Sequence, residues 1–114
     1  MFKNNIDRTL IVFVAIFLWT RPGFAQNPPS ETPEGTFKAK CAMCHGADVR
    51  GNTPMGKKLN IQELRAPEVQ NRTDVELIDT VTKGMEKMPP FGGKLSKEEI
   101  ESLVAYIREI AGKH

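Results

Sequence analysis

Cys41-Ala42-Met43-Cys44-His45 is the stretch that decides how this 114-residue chain is organised. Two thiols three positions apart lie on one side of a helical turn, and an imidazole follows directly, which is the C-x-x-C-H spacing of covalent haem attachment. In that arrangement the thiols add to the two vinyl groups of one porphyrin, and the imidazole reaches the iron. The motif therefore predicts thioether bonds from Cys41 and Cys44 and a proximal iron ligand in His45.

Three other uses of the cysteine pair fit the sequence less well. A redox dithiol of the thioredoxin kind requires a βαβ context, and no alternating apolar strand pattern lies near Cys41. A structural zinc site requires four ligands, yet the only other histidine is His114 at the terminus. A plain disulfide closes a very short loop and leaves His45 without a role.

The second axial ligand of an electron-carrying haem is usually a thioether or an imidazole, so the methionines are compared. Met43 lies inside the attachment loop on the proximal side and cannot cross the ring. Met55 falls in GNTPMGKKL, which favours a turn or a packing role. Met88 precedes two prolines, which hold the loop extended and reduce the entropy lost in presenting its sulfur. We predict Met88 as the distal ligand, and a gap-filling role in the core for Met85.

Helix signals surround these residues. A short helix over 35–40 is expected to precede the motif, and residues 59–69 predict a loop with one short helix that covers the porphyrin. A capping box opens a helix of about three turns after Thr73, and a second one opens the final helix after Ser96. The expected apolar stripes are Val75, Ile78 and Val81 in the first of these helices, and Ile100, Leu103, Val104, Ile107 and Ile110 in the second.

The N-terminal 25 residues predict an export signal. Two basic residues precede ten apolar residues over 10–19, and small residues end the segment at Ala25, as in a secretory signal peptide. Ten residues span only about 15 Å as a helix, about half of the hydrocarbon core of a membrane, so this segment is not expected to be a stable membrane span. No stable membrane span is expected in the chain that remains after cleavage. We predict cleavage after Ala25, a periplasmic or otherwise exported location, a flexible proline-rich leader over 26–35 and one domain over 36–114. A buried first helix and an uncleaved anchor are the alternatives.

The charge balance argues against a nucleic-acid partner. Without Lys3, Arg8, Arg21 and Asp7 of the predicted signal peptide, the 16 basic and 14 acidic residues become 13 of each. A neutral chain of 89 residues suits one small, monomeric domain, part of whose core is filled by a bound group. Charge is nevertheless uneven, because four lysines lie in and beside the loop that carries Met88, which we call the ligand loop. We call these lysines the basic collar and expect them to dock an acidic protein surface; they are Lys83, Lys87, Lys94 and Lys97.

CAMCHG, KMPPFGGKLS and EEIESLVAYIREI together resemble the class I monohaem cytochromes c, in particular the small soluble bacterial type, over roughly residues 35–111. The resemblance implies an all-α fold in which crossing N- and C-terminal helices wrap around one covalently bound haem. Carried over by position, Cys41 and Cys44 attach haem c, and His45 and Met88 bind its iron from opposite faces. The family's proline that accepts a hydrogen bond from the proximal imidazole is matched to Pro54, and Lys57, Lys58 and Arg65 are considered for the haem propionates.

The family implies an exported electron carrier that moves one electron between a donor and an acceptor protein, and not an enzyme. With both axial positions filled, the iron has no open position for peroxide or dioxygen. Two alternatives stay open. One is a haem subunit or domain of a larger exported oxidoreductase, and the other is a ligand-binding haem enzyme or sensor from which Met88 dissociates.

Overall fold

The computed structural model describes residues 32–112. The predicted signal peptide, its cleavage site and most of the predicted leader lie outside the described residues, so those predictions are not tested by the fold. The described part contains helices and no strand, which confirms the all-α class. No helix in this part is long and apolar enough to cross a membrane. The helices are α1 (Pro33–Lys40), α2 (Ala42–His45), α3 (Pro54–Leu59), α4 (Pro67–Gln70), α5 (Asp74–Lys83) and α6 (Lys97–Gly112).

The first helix begins earlier than the sequence patterns predict. Thr32 is its N-cap, and the Thr32 hydroxyl accepts a hydrogen bond from the amide of Gly35 at 3.0 Å. Pro33 occupies the first turn, where its missing N–H costs nothing and its fixed φ suits a helix. Residues 33–35, which we assigned to the flexible leader, are therefore helical, because the cap and the proline together start α1.

The two ends of the described chain pack together through α1 and α6. Phe37 of α1 is fully buried, and its ring lies 5.7 Å from that of Tyr106 on α6, tilted by 56°. The predicted face of α6 forms most of the core beside it, with only Ile110 left partly exposed. Ser96 caps this helix as predicted; its amide donates to the Glu99 carboxylate at 2.6 Å.

Helix α5 begins where its capping box predicts and has the expected length of about three turns. The Thr73 hydroxyl accepts from the Glu76 amide at 3.2 Å, the Thr73 amide donates to the Glu76 carboxylate at 2.7 Å, and Gly84 ends the helix with φ of 77°. The predicted apolar stripe is wrong at one position, because Val75 is 75% exposed. Leu77 and Val81, four residues apart, form the buried face instead, and α5 packs on α6.

Candidate haem site

The attachment motif continues the helical path of α1. The amide of Cys41 donates to the carbonyl of Phe37 at 2.8 Å, and the amide of His45 donates to that of Cys41 at 2.9 Å. Cys41 and Cys44 therefore lie on one turn, and both thiols are free. Burial raises the pKa of the Cys41 thiol to about 11, so this thiol is protonated at neutral pH. The spacing required for two thioether bonds to one porphyrin is thus present in the backbone.

The imidazole of His45 is suited to bind a metal. Burial lowers its pKa, which favours the neutral form that coordinates iron. Its Nδ1 atom is buried and has no hydrogen-bond partner among residues 32–112. The expected acceptor, the carbonyl of Pro54 in the first turn of α3, does not form this hydrogen bond. A buried polar atom without a protein partner is costly, so this ring fits a site completed by a bound group.

Cavities separate the motif from the loop that follows α5. One, of about 280 Å³, lies between the motif and the residues after Met88, and a second, of about 270 Å³, lies between the motif and α5. A third, of about 60 Å³, reaches Phe37 in the core. His45 and Met88 line all three cavities. The structure thus brings together Cys41, Cys44, His45 and Met88, as a single haem requires.

The ligand loop is anchored to α5 after its two prolines. The amide of Phe91 donates to the carbonyl of Val81, and that of Gly92 to the carbonyl of Thr82, both at 3.0 Å. Within this loop Met88 is partly buried against the core. Met85 is 48% exposed and lines the second cavity from a position past the end of α5, so its predicted gap-filling role in the core is wrong.

Helix α3 supports the motif at very close range, which the sequence patterns did not indicate. Thr53 donates its hydroxyl to the carbonyl of Cys44 at 2.9 Å and accepts from the amide of Gly56 at 2.9 Å. A Cβ atom on Gly56 would lie 2.5 Å from the carbonyl oxygen of Cys44. Met55, for which a turn or a packing role was expected, is helical and lines the first cavity. The Thr-Pro-x-Gly sequence was the available signal, since it combines an N-cap with a proline at N1.

The basic residues near the cavities differ from those expected. Lys57, Lys58 and Arg65 line none of the three cavities, whereas Lys87 lines the two larger ones and Arg72 lines the second. Arg65 donates instead to a backbone carbonyl, that of Asp48, at 3.0 Å. Assignment of the haem propionates to the three expected residues thus has no support from the cavity walls.

The basic collar is partly neutralised by acidic neighbours. Lys83 pairs with Asp79 at 2.6 Å, and Lys97 pairs with Glu101 at 3.5 Å. Both pairs lie at i, i+4 on helices and are exposed, so they offset local charge and add little stability. Lys94 lies 5.7 Å from the centre of the Phe91 ring. Lys87 is the collar residue that reaches the cavities; its Nζ atom donates to the carbonyl of Leu59 at 3.2 Å.

Comparison with known proteins agrees with this geometry. A family model described as "Cytochrome C oxidase, cbb3-type, subunit III" matches residues 28–107. Cytochrome c6 of Synechococcus sp. (strain ATCC 27167 / PCC 6312) is 31% identical over 111 residues, which cover 94% of this chain and 96% of that protein.

Two further matches show the range of proteins that carry this fold. The "Cbb3-type cytochrome c oxidase subunit FixP" of Sinorhizobium medicae (strain WSM419) is 33% identical over 85 residues, 65% of this chain but only 27% of that subunit. The solved structure of "KustC0563 c-type cytochrome" superposes with a TM-score of 0.62 at 30% identity, and the match covers 69% of this chain and 96% of that one. The same architecture thus occurs both alone and as part of a longer chain.

Proposed function

Because the chain belongs to the small monohaem c-type cytochromes, which bind haem c covalently, we propose that it is an exported carrier of single electrons between two redox proteins. Cys41 and Cys44 would hold the porphyrin, and His45 and Met88 would bind its iron. The observation that carries this proposal is that His45 and Met88, 43 positions apart, line the same cavities. The bound iron supplies one-electron chemistry; the protein supplies ligands, burial and a docking surface.

The residues of the site favour transfer over catalysis. With His45 and Met88 as its ligands, the iron would have no free coordination position for a substrate, and thioether ligation would favour the ferrous form relative to two imidazoles. We therefore assign a carrier and not a haem enzyme.

The absorption spectrum of the purified mature protein in both oxidation states tests the proposal. A carrier shows a low-spin haem, a weak thioether-to-ferric-iron band and slow reaction with cyanide or carbon monoxide. Rapid binding of either ligand by the native protein would instead identify a haem enzyme or sensor from which Met88 dissociates. Mass spectrometry of the exported protein tests cleavage after Ala25, because the mass of the mature chain plus one haem is fixed by that site.

A second function, the haem domain of an exported oxidase, has support from the family model and the FixP match. The two functions differ in the size of the particle that contains the haem. Size-exclusion chromatography of a native extract separates them, since a free carrier elutes as a small monomer and a domain or docked subunit elutes with a larger complex.

A further inference from the structure

Arg108 of α6 makes the most extensive set of side-chain hydrogen bonds in the described part of the chain. Its Nη1 donates to the carbonyl and the side-chain oxygen of Gln70, at 2.8 and 3.3 Å. Its Nη2 donates to the carbonyl of Arg72 at 2.5 Å, and its Nε to the carboxylate of Asp74 at 2.9 Å. We call these four residues the Arg108 cluster. It ties the final helix to a segment 34 to 38 positions earlier in the chain.

The hydrogen bonds continue from the cluster toward the attachment motif. The Gln70 side-chain amide donates to the carbonyl of Leu64 at 2.6 Å, and the amide of Leu64 donates to the carbonyl of Val49 at 3.0 Å. We define residues 64–74 as the wall segment. Arg108 binds the centre and the end of this segment directly, and the side chain of Gln70 binds its first residue, Leu64.

The wall segment encloses part of the haem site. Leu64 and Val69 line both the second and the third cavity together with His45 and Met88, and Arg72 lines the second. Its one helix, α4, has a single turn, and its N-cap Ala66 has no side-chain hydrogen bond. A helix this short has little stability of its own, so the segment depends on tertiary bonds such as those of Arg108.

Arginine has a specific advantage in this position. Only 26% of the Arg108 side chain is exposed, and its planar guanidinium donates in three directions at once. A lysine ammonium retains the charge but is a single point on a flexible chain, and cannot reach several separated acceptors in fixed geometry. The arrangement is therefore sensitive to the shape of the donor as well as to its charge.

We propose that Arg108 is a positioning residue that holds the wall segment closed over the haem, and so limits access of water and small ligands to the iron. The inference rests on the proposed haem function and adds a role for a residue that binds neither haem nor iron. A closed wall keeps the haem in a low dielectric, which favours the ferrous state because the ferric state carries more charge. Opening the wall is therefore expected to lower the reduction potential.

The test compares the mature holoprotein with two variants. Arg108→Lys loses the fixed set of bonds to the carbonyls of Gln70 and Arg72, and Gln70→Ala loses the bond to the carbonyl of Leu64. In both variants, amide hydrogen exchange at residues 64–74 should accelerate about tenfold or more, as expected from losing one or two net hydrogen bonds. Cyanide binding to the ferric protein should accelerate to a similar extent, and the potential should fall. If Arg108→Lys does not fold, Arg108→Gln takes its place, because Gln70→Ala leaves the bonds from Arg108 to the carbonyls of Gln70 and Arg72 intact.

Two control variants separate the wall from other effects. Arg50→Lys makes the same chemical change at an exposed arginine whose ion pair with Asp48 is 3.9 Å long, and it should leave all three measurements unchanged. Asp74→Asn removes the exposed ion pair but keeps the bonds to backbone carbonyls, so its effect should be small. The proposal would be overturned if amide exchange and cyanide binding in both Arg108→Lys and Gln70→Ala were as slow as in the wild type. It would also be overturned if Asp74→Asn showed the full acceleration. A wild-type protein without the thioether band would instead overturn the proposed function.

Discussion

Met85 and Met88 are hydrogen-bonded to each other through their backbones in both directions, the Met85 amide to the Met88 carbonyl at 3.1 Å and the reverse at 2.8 Å. Glu86, between them, has a positive φ of 49°, which closes the tight turn. The turn carries one methionine at each end, and burial distinguishes them, because Met88 packs against the core while Met85 is exposed. Sequence spacing alone does not decide which of these two methionines, three residues apart, is the distal ligand. The difference in burial favours Met88.

The choice of ligand is tested by Met88→Ala and Met85→Ala. The first variant should lose the weak thioether-to-ferric-iron band, have a lower reduction potential and bind exogenous ligands, because the iron loses its distal sulfur. Met85→Ala, together with Met55→Ala as a second control, should keep the band. Loss of the band in Met85→Ala alone would mean that Met85, three residues earlier, is the distal ligand.

Covalent attachment is tested by the two cysteines. Haem should remain with the wild-type chain through acid-acetone extraction and denaturing electrophoresis. Cys41→Ala combined with Cys44→Ala should yield little folded protein, because the porphyrin supplies part of the core of a small domain. A double variant that is helical and unfolds cooperatively without haem would contradict this expectation.

Gly56 is expected to tolerate no side chain. In Gly56→Ala, the new Cβ would lie 2.3 Å from the carbonyl oxygen of Gly51 and 2.5 Å from that of Cys44, and the second of these atoms belongs to the attachment motif. The gain of about 1 kcal/mol in helix propensity is smaller than the cost of overpacking, about 1–3 kcal/mol or more. Chemical denaturation should therefore show a net loss of stability. Gly93→Ala is the control, since nothing lies within 4 Å of its Cβ position, and its stability should change little.

The capping box of α5 predicts a specific dependence on pH. Hydrogen bonds from the amide and hydroxyl of Thr73 lower the pKa of the Glu76 carboxyl below its usual value. A lowered pKa in the folded state means that the contribution to stability is present above the pKa of the unfolded chain and is lost as the pH falls through the folded pKa. Glu76→Gln should thus be less stable than wild type near neutral pH, and the difference should shrink below about pH 4. Urea denaturation between neutral pH and about pH 4 measures the difference in the free energy of unfolding, and Glu63→Gln is the control at an exposed position.

Partner docking is expected to depend on Lys87 because it is the collar residue at the cavities. Lys87→Glu should reduce the rate of electron transfer to an acidic partner at low ionic strength, and the difference should disappear as salt screens the charges. Lys58→Glu makes the same change at an exposed position outside the cavity walls and should have a smaller effect. A rate that is independent of ionic strength in the wild type would leave the collar without a role in docking.

Features encoded over a few neighbouring residues were predictable from the sequence. The capping boxes at Thr73 and Ser96 and the attachment motif belong to this class, because each depends on contacts within about four positions. Val75 was assigned to the wrong face, since its spacing from Val81 fits a helical stripe and only packing against α6 shows which face is buried. Arg108 was not identified because two of its acceptors are backbone carbonyls, which no sequence pattern reveals, and the other two, on Gln70 and Asp74, lie 38 and 34 positions earlier in the chain.

The pairing of α1 with α6 has a topological consequence. Thr32 at the start and Ile110 near the end of the described chain line the same open groove of about 770 Å³, and no residue of that groove lines the three haem cavities. A connection joining these two ends would therefore be short, so a circular permutant opened in a surface loop is feasible. Because this groove and the haem cavities share no lining residue, a protein attached at Thr32 or near Ile110 is expected to leave the cavity edge around Lys87 uncovered.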